Sequence, residues 1–209
     1  FEELDDRSDV ARVTGNIGNV YKSLSEYEKA LEYHTRALSL NEELGNRSGV
    51  ALVTGNIGLV YGNLAEYEKA LEYHTRALAL HEELGERSGV ALVTGNIGGV
   101  YFSLSEYGKA LEYFTCALAL HEELGERSGV ARCAMAIGNV YTCLSEYEKA
   151  LKYHTRALSL HEELGERSGV AGVTGNIGNV YASLSEYEKS LEYLTRALAL
   201  HEELGERSG

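Results

Sequence analysis

The side chains with most chemistry to offer in this sequence are its histidines, and their spacing is regular. His34, His74 and His154 stand in one register, and His81, His121, His161 and His201 in another. Along one helix the two registers are about 10 Å apart. One metal ion cannot bridge that interval, and zinc needs several ligands at about 2 Å from different directions. No Cys or acidic cluster accompanies the rings, and Phe114 and Leu194 replace His in the first register. The histidines therefore read as structural, and no metal or cofactor is expected. Three cysteines complete the nucleophiles. Cys133 and Cys143 lie on one predicted helix about 15 Å apart, too far for a disulfide. With Cys116 they make an odd number without a pairing pattern, which points to a reducing, cytoplasmic setting. The 15 Tyr recur at helical spacing, as packing residues do. Gly15-Asn16-Ile17-Gly18 sits inside a helical pattern rather than after a strand, so it is no nucleotide fingerprint. Every candidate catalyst recurs as scaffold, and no enzymatic activity is expected.

What positions these residues is a period of 40. The stretch from Thr14 to Leu40 recurs from Thr54, Thr94 and Thr174, and in altered form from Ala134. A fixed period of this length marks a solenoid in which each repeat stacks on its neighbours. Five repeats span 11–50, 51–90, 91–130, 131–170 and 171–209. Residues 1–10 match the tail of a preceding repeat, so the chain reads as one array, 1–209, cut from a longer one. In the first repeat Val10, Val13, Ile17, Val20, Tyr21 and Leu24 form one face of a helix, helix A. Ser25 and Glu28 have the spacing of a capping box, which would open helix B. Helix B carries Tyr27, Ala30, Leu31, His34, Ala37, Leu38 and Leu44 on one face, and Gly45 follows where a left-handed C-cap is wanted. Ser48 is placed to cap the next helix A. Phe1–Leu4 would be the stub of an earlier helix B.

Charge narrows the partners. The 209 residues carry a formal net charge of −13, a poor fit to phosphate backbones, so nucleic acid is not expected as a ligand. Most Glu falls on helix B, where Glu32 and Arg36 have i,i+4 spacing and the face reads as solvated. No apolar run reaches the roughly 18 residues of a membrane span.

Asn16-Ile17-Gly18-Asn19-Val20-Tyr21, followed by Tyr27, Ala30, Ala37 and Leu38, resembles the tetratricopeptide repeat, and does so in every repeat. Gly18 and Ala30 are the small residues that let helices A and B approach. The chain departs from the family pattern in having Thr14, Thr54, Thr94, Ala134 and Thr174 where Trp is usual. It also has no Pro after helix B and a 40-residue unit. The longer unit with its Leu-Gly-x-Arg link is similar to the Pins/LGN family of polarity scaffolds. The resemblance implies an all-α, right-handed superhelical solenoid of antiparallel helix pairs.

It also implies a concave groove lined by one stripe of helix A. Counting Ala11 as position 1, positions 2, 6, 9 and 13 form that stripe, and positions 2, 9, 12 and 13 vary between repeats while the packing positions do not. The first repeat offers Arg12, Asn16, Asn19, Lys22 and Ser23. Leu52, Asn56, Leu59 and Asn63 follow in the second, and Leu92, Asn96 and Phe102 in the third. The fourth contributes Arg132, Met135 and Asn139, and the fifth Asn176 and Asn179. An Asn amide both donates and accepts, so a ladder of them can pair with a peptide backbone whatever its side chains. Met135 would add an apolar spot to this groove or fill a gap between helices. Gly15, Gly55, Gly95 and Gly175 cost helix stability, and either a ligand or a neighbouring helix would need the room. The expected function is a protein-interaction scaffold that holds an extended peptide. Alternatives are the sensor array of a nucleotide-binding receptor and a structural spacer. Uncapped terminal faces predict end-to-end self-association.

Overall fold

The computed structural model describes residues 2–206, with side chains for 7–205. Those residues form ten α-helices and no strand. They fall into two compact units, Phe1–Glu106 and Tyr107–Gly209. The first unit holds α1 (Glu2–Ser23), α2 (Tyr27–Glu43), α3 (Arg47–Asn63), α4 (Tyr67–Leu84) and α5 (Arg87–Ser103). The second holds α6 (Tyr107–Leu124), α7 (Arg127–Cys143), α8 (Tyr147–Leu164), α9 (Arg167–Ser183) and α10 (Tyr187–Glu206). Odd-numbered helices are the A helices of the repeats and even-numbered ones the B helices.

The two helices of a repeat run antiparallel. Gly15 faces Ala37, Gly18 faces His34 and Tyr21 stacks on Tyr33, so rising numbers on α1 meet falling numbers on α2. Closeness comes from small residues. Ala30, Ala70, Ala110 and Ala150 are wholly buried. A methyl added to Gly18, Gly58 or Gly138 would lie 2.8, 2.8 or 2.6 Å from the ring of His34, His74 or His154. The first histidine register is thus packing, as its spacing predicts. The rings are buried, and Nδ1 and Nε2 of His34 and His154, with Nδ1 of His74, have no hydrogen-bond partner. Burial holds all three neutral and pushes each pKa down to about 4, with the Lys22 charge adding to the effect at His34.

The second register also packs on glycine, at the junction between repeats. His81 lies against Gly89, His121 against Gly129 and His161 against Gly169. Each ring nitrogen Nδ1 reaches a carboxylate five residues on: Glu86 at 2.7 Å, Glu126 at 2.6 Å and Glu166 at 2.6 Å. In the first repeat both partners change together. Asn41 replaces the ring, Asn46 replaces the carboxylate, and Asn46 Nδ2 donates to Asn41 Oδ1 at 2.8 Å. Periodicity places these residues but does not reveal the pairing; the joint change at Asn41 and Asn46 is the clue in the sequence.

The turns correct several expectations. Ser25 does not open helix B. It has φ +59, and with Ser25 N–H donating to the Lys22 carbonyl and Glu26 N–H to the Tyr21 carbonyl it closes helix A in a Schellman motif. Glu26 is the N-cap, without a side-chain cap bond, so the Ser25–Glu28 capping box is not formed. Lys29 pairs with Glu26 instead, at 2.5 Å. Gly45 does take the left-handed conformation, at φ +66. Ser48 lies inside α3, and Asn46 is the cap, its side chain accepting from Gly49 N–H. The Ser48 hydroxyl serves Glu86 of the next repeat, and this bond is the main reason that carboxyl sits below its usual range.

Arg at the Arg36 position reaches between repeats rather than back along its own helix: Arg76 pairs with Glu42, Arg156 with Glu122 and Arg196 with Glu162. Residues 2–10 are not a helix B stub and turn but run straight into α1. Asp5 stands where the other junctions have a glycine to stop the helix. Phe1 lies outside the described residues.

Two outcomes follow from the packing. Gly55 and Gly58 share one helix, but a methyl on Gly55 would make ordinary contacts of 3.8 Å with Ala77 and Val93. Gly55→Ala should leave stability unchanged or raise it by up to about 1 kcal/mol, from helix propensity. Gly58→Ala should cost about 1–3 kcal/mol by overpacking against His74. Thermal melts of the two variants check the contrast, and equal melting temperatures would contradict the close approach at Gly58.

The second outcome concerns acid. An unfolded chain protonates these histidines below pH about 6.5, whereas the folded chain resists until about 4. The unfolded state therefore binds more protons in that window, and stability is lost as pH falls from about 6.5 towards 4, by up to about 3 kcal/mol per ring. Phe114 already occupies the equivalent place in the third repeat. His74→Phe should move the acid-unfolding midpoint to lower pH, read by circular dichroism during acid titration. An unmoved midpoint would remove the buried ring as the cause.

Candidate functional site

With the packing positions accounted for, one polar stripe of the A helices is left partly open to solvent. In the first unit it forms the wall of a cleft between α1 and α3, with a volume of ≈ 300 Å³. Arg12, Asn16 and Asn19 line it from α1, and Leu52 and Asn56 from α3. Asn41 and Asn46, the pair that replaces His and Glu, close one end. Asn16 is exposed, while Asn19 and Asn56 are half-buried. Ser23 turns back on its own helix and donates to the Asn19 carbonyl at 3.0 Å.

A second cleft of ≈ 230 Å³ lies between α3 and α5 and is lined by Leu59, Asn63 and Asn96. Gly62 and Gly99 keep it open, since a methyl on either would meet nothing within 4 Å. His74 reaches its floor. Leu92 is exposed and Phe102 half-buried. The apolar Leu59 alternates here with amides, so the two clefts of this unit differ in polarity.

In the second unit the stripe is tied across its helices. Asn176 Nδ2 on α9 donates to Asn139 Oδ1 on α7 at 2.9 Å. Both are half-buried, whereas Asn179 is exposed. This pair links neighbouring repeats as well as presenting an amide. Arg132 is exposed on α7. Met135 is half-buried and packs on the cluster of Ala134, Ala157, Leu158, Val170, Val173 and Ile177. It packs between helices there while part of its side chain stays open to solvent.

The basic residues differ in how free their charge is. Arg12 is held by Asp9 at 2.8 Å on its own helix. Lys22 is half-buried, and burial lowers its pKa. Arg132 is exposed on α7, and Arg12 is exposed as well. Gly15 and Gly55 meet their helix neighbours at 3.8 Å or more, so helix packing does not demand glycine there.

A roomier cavity of ≈ 500 Å³ lies away from this stripe, in the second unit, lined by His121, Val130, Leu160, Arg127 and Arg156 among others. Its two arginines are engaged with Glu163 and Glu122. Among the described residues no group of three or more His, Cys, Asp or Glu is placed to hold a metal ion. All three cysteines are unpaired, Cys133 buried and Cys116 and Cys143 exposed. No described helix is long and apolar enough to cross a membrane.

Comparison with known proteins agrees with this architecture. No curated protein sequence matches the chain. Among solved structures, BtubC (BKLC) from P. vanneervenii is similar with a TM-score of 0.77 at 19% identity, over 98% of this chain and 90% of that one. A Rap protein complexed with competence and sporulation factor is similar with a TM-score of 0.67 at 17% identity, over 95% of this chain and 66% of that one. A STAND protein with a tetratricopeptide repeat sensor, from Pyrococcus horikoshii, gives 0.75 at 18%, over 91% of this chain and 30% of that one. At such identities these likenesses speak to fold alone: repeated helix pairs of the solenoid type. The sequence pattern of the tetratricopeptide repeat itself matches residues 9–83 and 87–163, and a second version of it matches 174–208. The chain belongs to the tetratricopeptide repeat family.

Proposed function

We propose that this chain is a protein-interaction module that holds an extended segment of a partner against the polar stripe of its A helices. The observation that carries the reading is the cleft between α1 and α3, where Asn16, Asn19 and Asn56 converge on one polar surface beside Arg12. Amides of this kind can serve a peptide main chain in either direction. The varying residues Leu52, Leu59, Leu92 and Phe102 supply selectivity for its side chains. Arg132, with Arg12 and Lys22, favours acidic side chains or a free carboxylate, since charge-assisted hydrogen bonds are about twice as strong as neutral ones. The Rap structure complexed with competence and sporulation factor supports a bound partner for folds of this kind. Within the reading, the 40-residue unit and its Leu-Gly-x-Arg link favour a scaffold of the Pins/LGN type. A sensor array attached to a nucleotide-binding switch is the second reading, favoured by the likeness to the repeat sensor of the Pyrococcus horikoshii protein.

The amides of the first unit decide the matter. Peptides selected on the wild-type chain from a displayed library of random sequences provide the probe. Asn56→Ala/Asn96→Ala should weaken their binding by about tenfold, the loss of one to two hydrogen bonds. The melting temperature should fall by no more than about 2 °C. Asn176→Ala serves as the structural control: it strands Asn139 and should cost about 1 kcal/mol of stability. Undiminished peptide binding by the double variant, or a large drop in its melting temperature, would remove the stripe as the binding surface.

A further inference from the structure

We propose that the cleft between α3 and α5 is an anchor pocket for one tyrosine side chain of the partner segment, whose phenol hydroxyl meets the ring of His74; the inference rests on the reading of this stripe as a peptide surface. His74 is 1% exposed, and its Nδ1 is buried without a hydrogen-bond partner. In His34 and His154 both ring nitrogens are buried in this way, whereas at His74 Nδ1 alone is. The Gly58 side of the ring is taken by Cε1, Nδ1 and Cγ. Nε2 therefore lies on the side away from that glycine, where the ring floors the cleft.

Two glycines open the way to that nitrogen. Gly62 and Gly99 line the cleft, and a methyl on either would meet nothing within 4 Å. The same two places around His34 hold Lys22 and Leu59, and around His154 they hold Thr142 and Asn179. Those are the two rings whose nitrogens are both enclosed. Glycine costs a helix up to about 1 kcal/mol relative to alanine, and no neighbour demands it at either place. The ring of the second repeat is thus reached from the stripe because side chains present in the other repeats have been removed above it.

Size and lining specify the occupant. The volume, ≈ 230 Å³, is below the roughly 300–1,000 Å³ of a site for a whole small molecule, so one large side chain suits it. Leu59 and Val100 give it apolar walls, and its polar lining, Asn63, Asn96 and His74 among it, carries no fixed charge. Burial keeps His74 neutral, with its pKa pushed down to about 4. A charged side chain would find no counter-charge there. An aromatic ring fits the walls, and a polar tip fits the floor. Of the polar tips, a hydroxyl both donates and accepts, so it serves Nε2 in either tautomer, whereas an indole N–H only donates. Tyrosine meets each of these conditions.

The probes are N-acetyl-tyrosinamide and N-acetyl-phenylalaninamide, titrated into the 209-residue chain with its histidines isotope-labelled for NMR. The ring signal of His74 is identified by its loss in His74→Phe. It should shift saturably with the tyrosine probe while those of His34 and His154 stay in place. The phenylalanine probe should bind about tenfold more weakly, the worth of one hydrogen bond. Gly62→Lys/Gly99→Leu copies the surroundings of His34; it should keep the fold, read by circular dichroism, and abolish the shift. This variant carries the test by itself if His74→Phe does not fold. Equal binding of the two probes overturns the anchor, and so does a tyrosine preference that survives in either variant. Peptides selected on the chain separate this inference from the reading it rests on. Binding that depends on Asn56 and Asn96 but not on a tyrosine keeps the peptide surface and removes the anchor. A saturable, tyrosine-specific shift at His74 without any selected peptide keeps the anchor and removes the extended peptide.

Discussion

The contact on which the structure depends is a ring seated against a glycine. His34 on Gly18, His74 on Gly58 and His154 on Gly138 set the distance between the two helices of a repeat, and Leu194 on Gly178 does so in the last. A second contact of the same kind, His81 on Gly89 and its counterparts, sets the distance between repeats. Each ring is buried where a methyl would already collide, so the helices cannot slide without losing packing or clashing. Once those two distances are fixed, the remaining helix positions only need to be apolar and of about the right size.

That division of labour frees one stripe of the A helices. Gly58, Ile57 and Val60 and their counterparts in the later repeats carry the packing, so positions such as Arg12, Leu52, Leu92, Arg132 and Gly172 can differ without disturbing it. The stripe has nonetheless not become a plain charged surface in an acidic chain. It keeps amides at Asn16, Asn56, Asn96 and Asn176, and it lies over clefts rather than over a flat helix face in the first unit. The Asn176–Asn139 bond shows a cost of this arrangement: an amide near a neighbouring helix can be drawn into tying the repeats together.

Long-range ion pairs make the stacking directional. Arg47 pairs with Glu83 and Arg167 with Glu203, while Arg76 and Arg196 reach back to Glu42 and Glu162. These partners are exposed, and each pair alone contributes little. Their repetition in register discourages misaligned stacking, in which like charges would meet. The aromatic side of the repeat does similar local work: Tyr61 stacks on Tyr73 with Lys69 over the Tyr61 ring, itself held by Glu66.

By itself the sequence determined the period, the number and order of helices, the left-handed glycine at Gly45 and the packing role of the first histidine register. These follow from residue type and spacing, because a helix repeats its face every 3.6 residues and a left-handed turn favours glycine. Tertiary structure alone decided the rest. Ser25 has the composition of a cap, yet its backbone ends one helix instead of starting the next. Ser48 serves Glu86 in another repeat, and Arg76 chooses Glu42 over the Glu on its own helix. Asp5 lets α1 run on through a position where the other junctions turn. In each case the side chain had several partners within chemical reach. Only the placement of the neighbouring helix, set by the ring–glycine contacts, brought one of them within hydrogen-bond distance.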